Sequence, residues 1–196
     1  MKDVYIQDLF FAKTDPNAII PTKRSEDSGY DLYACSTETI VIEPCSTELI
    51  DTGIATAVSE DWFIKLFDKG GMGSLGIVTG AGVVDSGYRN SIFVPLINTN
   101  MGKWSIITNQ TEEEVKQSTC FDFKDNKFKK LDCLDNYYCN MNIIGKEYCI
   151  VKYLNKAITQ FVVLPVPKLS AQEISWDELK SIPSSRGMGS RGSSGK

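Results

Sequence analysis

Short runs dense in β-branched and aromatic residues dominate this chain, and turn-forming residues cut each one off. VYIQDLFF (4–11), IVIE (40–43), ELI (48–50), GIATAV (53–58), WFIKLF (62–67), IFVPLIN (92–98) and QFVVL (160–164) are too short to build apolar helix faces. Such side chains suit a pleated, half-buried surface, and turns at these intervals fold the strands into a sandwich or barrel. Pro21, Pro44 and Pro95 are expected at edges, turns or bulges, because proline has no amide to give a central ladder. Helical patterning is confined to AQEISWDELKS (171–181) and to one further turn over Glu112–Gln117. The expectation is an all-β, jelly-roll-like body over residues 1–183 with a short helix, followed by a flexible glycine-rich arm, 184–196.

Residues 100–150 break the pattern. They are more polar, rich in Lys, Asp, Asn and Tyr, and alternate in places, as in TCFDFKDNKFKKLDCLDNYYC. One or two hairpins laid on the surface are expected there, with Cys and Tyr side chains closing a small satellite core. The closing RGMGSRGSSGK (186–196) has a single Met among glycines, serines and basic residues, too little apolar surface to offset the entropy of ordering it. Both a flexible end and a segment that orders on a polyphosphate fit this composition, since glycine amides can close on phosphate oxygens and arginine pairs with them bidentately.

The chain contains no histidine. That removes Ser-His-Asp and Cys-His nucleophile pairs, His-ligated zinc and any imidazole base, and leaves acid–base work to carboxylates. Cys35, Cys45, Cys120, Cys133, Cys139 and Cys149 are irregularly spaced, so free thiols in a reducing compartment are expected rather than a zinc site. A net charge of −4 gives no basic face for nucleic acid. No stretch reads as a signal peptide or membrane span, and a cytoplasmic protein is expected.

Three segments look unlike strand filler. Ser28-Gly29-Tyr30-Asp31-Leu32-Tyr33-Ala34 places an acid beside a glycine at a strand entry, where a simple capped turn is the plain alternative. Lys69-Gly70-Gly71-Met72-Gly73-Ser74-Leu75-Gly76 is either an anion nest of amides or a glycine turn, since it has neither P-loop nor dinucleotide spacing. Ala81-Gly82-Val83-Val84-Asp85-Ser86-Gly87-Tyr88-Arg89 reads as a β-hairpin with Asp85 at its shoulder, the returning strand starting at Ile92.

In this order, with the Arg/Gly tail behind them, these segments resemble the trimeric dUTPase family, dUTP pyrophosphatases that yield dUMP and pyrophosphate. The resemblance spans about residues 20–100 and 150–196, and 103–147 lies outside it as an insertion, a place for a protein partner. SGYDLYA, DKGGMGSLGI, AGVVDSGYRN, KAITQFVV and RGMGSRGSSG stand in the places of the five family motifs. The resemblance implies that Asp85 activates the water attacking the α-phosphorus. Backbone groups of the hairpin from Thr79 through Gly82, Val83 and Val84 to Asp85 would read the uracil edge. Tyr88 would pack under the deoxyribose and reject ribonucleotides. Asp31 would hold, through water, an Mg2+ ion spanning the phosphates. Gln160 and the Gly70, Gly71, Gly73 and Ser74 loop would bind phosphates. The arm, with Arg186, Arg191 and Ser193, would close over the nucleotide, Arg186 on the γ-phosphate. A homotrimer with shared active sites is implied too.

Several positions depart from the pattern. The second motif normally supplies Arg then Ser, and Lys69 and Gly70 stand there, leaving Ser74 as the hydroxyl that could substitute from a shifted loop. Lysine keeps the charge but loses the bidentate fork. Arg191 occupies the slot of an aromatic that stacks on uracil, and Ala157 that of a basic residue, with Lys156 beside it. Weakened phosphate-loop residues and the insertion leave a non-catalytic or moonlighting regulatory nucleotide binder as the alternative. A dCTP deaminase lacks a matching acid in this sequence.

Overall fold

Alternation along a single strand organises the molecule. The computed structural model describes residues 9–131 and 142–185. Its early strands are β1 (Phe10–Lys13), β2 (Tyr30–Leu32), β3 (Ile40–Ile42), β4 (Thr47–Asp51), β5 (Ile54–Ala57) and β6 (Trp62–Asp68). A glycine turn of helix, α1 (Gly70–Gly73), leads to β7 (Ile77–Thr79), β8 (Val83–Val84), β9 (Phe93–Asn98) and β10 (Trp104–Thr108). Helix α2 (Glu112–Gln117) precedes β11 (Cys120–Asp122), β12 (Lys127–Lys129), β13 (Ile143–Gly145), β14 (Cys149–Tyr153) and β15 (Thr159–Pro165).

On β10, Ile107 joins Leu32, Ile42, Val94 and Phe161 in the main core, while Ile106 joins Val115, Phe121 and Phe128 in a second. On β3, Ile42 faces the first core and Val41 the second. The sheet β14-β10-β3 is therefore a wall with a core on each side, as a side-chain period of two requires. The small sheet β12-β11-β13 and α2 pack on its outer face. Phe121 is fully buried there, which contributes about 1.5–3 kcal/mol. A Thr111–Glu114 capping box starts α2 and adds about 1 kcal/mol.

The segment expected from 103 to be an insertion begins with β10, the centre of the shared wall. Among the described residues the second core is built from phenylalanines and branched aliphatics, with Cys149 and Tyr153 packed against it. Cys133, Tyr137, Tyr138 and Cys139, also expected there, lie outside the described residues. Pro95 lies in β9, the middle strand of β4-β9-β7. A strand residue's N–H and C=O point to one side, and Pro95 O accepts from Gly80 N, one residue past the end of β7. The missing amide thus faces a place where the ladder has stopped, which is why the proline is tolerated.

β1 holds the described part of the first predicted strand, and the other predicted strands and the helix over Glu112–Gln117 are present within a residue or two. The chain divides into two compact units, one ending at Val166 and one beginning at Pro167. In the second, α3 (Trp176–Ser181) is capped by Ser175 and carries a Lys180–Asp177 ion pair at 2.6 Å. Among the described residues no helix is long and apolar enough to cross a membrane.

Candidate active site

The four-stranded sheet β2-β15-β6-β8 carries the chemistry-bearing residues. Asp31 on β2 lies opposite Gln160 on β15, which lies opposite Phe67 on β6. Just past β6, Lys69 reaches back so that its Nζ meets Asp31 Oδ1 at 2.6 Å, in a pair left about a third exposed. Gln160 Nε2 donates to Asp68 O at 3.0 Å. Gly29 leaves room for it: a Cβ there would stand 2.9 Å from Gln160 Oε1. The turn before Asp31 therefore needs glycine for a neighbour from the far end of the chain.

Gly70–Gly73 form one helical turn, with Ser74 as its C-cap. Met72 is buried beneath it and fastens it to the core. A Cβ at Gly70 would meet nothing within 4 Å, and one at Gly71 only Lys152 Nζ at 3.9 Å. Asp31, Lys69, Gly71 and Met72 line a cleft of about 600 Å³, together with Lys152, Tyr153, Lys156 and Ala157 from β14 and the turn after it. Glu112 of α2 closes one side, its carboxylate 3.7 Å from Lys116. Three lysines and two carboxylates thus face an open, solvated space, an arrangement suited to a chain of phosphates whose charge partly displaces the acids.

The third motif sits at the other edge of the sheet. β8 does not return onto β9 as a tight hairpin; it pairs with β6, Val83 opposite Lys65 and Val84 opposite Ile64. Residues 80–92 form the long connection between the paired strands β7 and β9, and β8 is laid across β6 within it. Gly82, at φ +105°, makes the crossing possible, because a Cβ would come 3.1 Å from Leu66 Cβ and 3.2 Å from Leu66 O. As an edge strand β8 presents backbone groups on its outer side, the kind of donor–acceptor row that reads the edge of a base. Thr79 is turned inward: its amide donates to Asp68 Oδ1 at 2.5 Å and its hydroxyl shares a hydrogen bond with Thr159 at 3.1 Å. Asp85 is exposed beyond β8. The Tyr88 amide donates to Asp85 O at 3.0 Å and its hydroxyl to Ser91 O at 2.8 Å, so the Asp85–Tyr88 turn is pinned at both ends.

The predicted residues therefore fall into two separate groups. β2 and β8 are opposite edges of one sheet, three strand spacings apart, or about 14 Å. Asp31, Lys69 and Gly71 come together; Asp85, Tyr88 and the Gly82–Val84 edge form a separate group. Gln160 borders the first through the ladder, while Gly73 and Ser74 lie toward the end of the α1 turn away from Lys69. Arg186, Arg191 and Ser193 lie outside the described residues. Lys152 and Tyr153 escaped the sequence reading, because nothing in CIVKY alone distinguishes a cleft-lining strand from surface decoration.

The cleft's donors also bear on metal binding. Among the described residues no three Asp, Glu or Cys side chains converge as a metal cluster. A single carboxylate such as Asp31 fits Mg2+, which keeps several waters and takes other oxygens from substrate phosphates.

A family model for dUTPase matches residues 15–133. The deoxyuridine 5'-triphosphate nucleotidohydrolase of Leptospira interrogans (strain Fiocruz L1-130) is 30% identical over 94 residues, 46% of this chain and 65% of that protein. A probable enzyme of the same description from Schizosaccharomyces pombe is 40% identical over 92 residues, 46% of this chain and 64% of its own length. This chain thus spans slightly under two thirds of these relatives. The dUTPase of Staphylococcus bacteriophage 80alpha, solved with dUpNHpp, superposes with a TM-score of 0.67 at 21% identity, covering 96% of this chain and 99% of that one. The dUTPase of phage phi11 of S. aureus, solved to show its species-specific insert, gives a TM-score of 0.60 at 19% identity, covering 85% and 96%. At these identities the likeness speaks for the fold.

Proposed function

This chain belongs to the dUTPase family, and on that premise we propose that it hydrolyses dUTP to dUMP and pyrophosphate. The observation that carries the reading is the cleft in which Asp31, Lys69 and Gly71, from two separate motifs, face one space. Asp85 is the base: it takes a proton from a water whose oxygen bonds to the α-phosphorus, and the bond from that phosphorus to the bridging oxygen breaks toward pyrophosphate. The outward backbone groups of Val83 read the uracil edge, and the pinned Tyr88 ring packs under the sugar. The amides of the α1 turn and Gln160 bear on the phosphates. Asp31 would hold Mg2+ through water, once the incoming phosphates draw Lys69 away. When bound, the ion neutralises charge building on the leaving pyrophosphate.

A water on Asp85 and a cation on Asp31 must serve the same phosphate chain. Opposite edges of a sheet about 14 Å wide do not allow this within one chain. The reading therefore includes a symmetric oligomer, a trimer as the family resemblance implies, in which the Asp85 edge of one copy meets the Asp31 cleft of the next. The test is pyrophosphate release from dUTP, dCTP, dTTP and UTP, with Mg2+ and then with EDTA. Mg2+-dependent release from dUTP alone supports the proposal; binding of dUTP without release would leave a nucleotide-binding protein in its place.

A further inference from the structure

The second motif brings little of its own to the phosphates: Lys69 starts out paired with Asp31 at 2.6 Å, and Gly70 has no hydroxyl. A different part of the chain faces the same cleft. Lys152, on β14, donates from Nζ to Gly71 O at 2.8 Å, bridging 81 residues of sequence to the glycine turn. An ammonium has three donors and this bond uses one. The side chain is half-buried in the cleft wall, between Val151, which packs against the second core, and Tyr153.

We propose that Lys152 is a phosphate-binding and loop-positioning residue: it anchors the α1 turn by its carbonyl and offers its remaining N–H bonds to the terminal phosphates of the nucleotide. This rests on the reading of the cleft as a triphosphate site and deepens it. The placement has a physical reason. Four residues at 70–73 that include three glycines have little intrinsic preference for a helical turn. Gly71 O is held from outside, by a strand that reaches the cleft because β10 and β14 pair in parallel. Lys152 pairs opposite Ile107, which points into the main core, so the rigid wall sets where the ammonium stands. Lys156, in the following turn, adds charge to the same face but has no bond to the loop among those described.

The test compares wild type with Lys152→Met and Lys152→Arg in the full chain. Calorimetric titrations use inorganic tripolyphosphate, dUMP and the imido analogue dUpNHpp, and circular dichroism and thermal melts check the fold. Lys152→Met is expected to weaken tripolyphosphate and dUpNHpp binding by about ten- to a hundredfold, the scale of one charged hydrogen bond, while dUMP affinity changes less than about twofold. The arginine variant is expected to recover a substantial part of the loss. In steady-state assays the loss should appear in KM for dUTP more than in kcat. Equal losses for dUMP and dUpNHpp, unchanged binding, or no tripolyphosphate binding by wild type would each overturn the assignment. If wild type binds tripolyphosphate in a Lys152-dependent way but does not hydrolyse dUTP, the residue's role stands and the proposed reaction falls.

Discussion

Gly29→Ala turns a packing observation into a quantitative forecast. The new methyl would sit 2.9 Å from Gln160 Oε1, 3.3 Å from Cδ and 3.4 Å from Cβ. Gly29 does not occupy the left-handed region, so the backbone accepts alanine and the conflict is with the side chain alone. Gln160 must rotate, giving up its 3.0 Å bond to Asp68 O. One net hydrogen bond is worth about 1 kcal/mol, and a side chain forced off its rotamer costs about 0.5–1.5 kcal/mol. Replacing glycine returns about 0.4–1 kcal/mol by restricting the unfolded chain. The net loss is then about 1 kcal/mol, a fall of roughly 2–4 °C in Tm for a protein of this size. Activity should suffer more than stability, because Gln160 lies opposite Asp31 and its displaced amide disturbs the phosphate cleft; kcat/KM should drop about tenfold. The assay is a double-mutant cycle with Gln160→Ala, read by thermal melts and by pyrophosphate release. Truncating Gln160 removes the two closest contacts, so the pair should show a favourable coupling of about 1 kcal/mol. A Gly29→Ala protein with unchanged Tm and rate, or a cycle with no coupling, would refute this account of why the first motif carries glycine.

Other outcomes follow from single features. Asp85→Asn keeps the shape of an exposed turn but cannot accept a proton, so turnover measured by pyrophosphate release should fall by about a hundredfold or more while dUpNHpp affinity stays within a few-fold. Gly70→Ser should raise kcat/KM by up to about tenfold, because the cleft turn has open space at that position and a hydroxyl there can donate to phosphate; a slower enzyme would contradict it. Cys149 has its thiol pushed up to about 12, chiefly by burial, against an ordinary 9.0. Its neutral form is therefore retained on folding, a contribution present below pH 9 and lost as pH rises toward 12, which melts across that range should show. Alkylation at pH 8 followed by mass mapping should accordingly label exposed Cys45 before Cys120 and Cys149.

Much of the molecule is decided locally. Runs such as WFIKLF and QFVVL can bury a face only as strands, and the absence of histidine directs any acid–base chemistry to carboxylates wherever the chain folds. Asp31, Asp85 and the Gly70–Gly73 loop stood out because an acid beside glycine, or three glycines in four residues, needs a reason beyond packing. What the sequence alone could not decide is which pieces meet. Pairing partners depend on long-range register, so the third motif looked like a hairpin with Ile92 although β8 pairs with β6. Pro95 read as an edge residue because the early end of β7 is invisible along the chain. The inner place of β10 was hidden because WSIIT stands at the head of a polar stretch, and only the wall gives each of its faces a core. Lys152 is the sharpest case: one lysine among many in a polar stretch, it reaches Gly71, 81 residues away, only because β14 lies parallel to β10, a contact set by tertiary pairing.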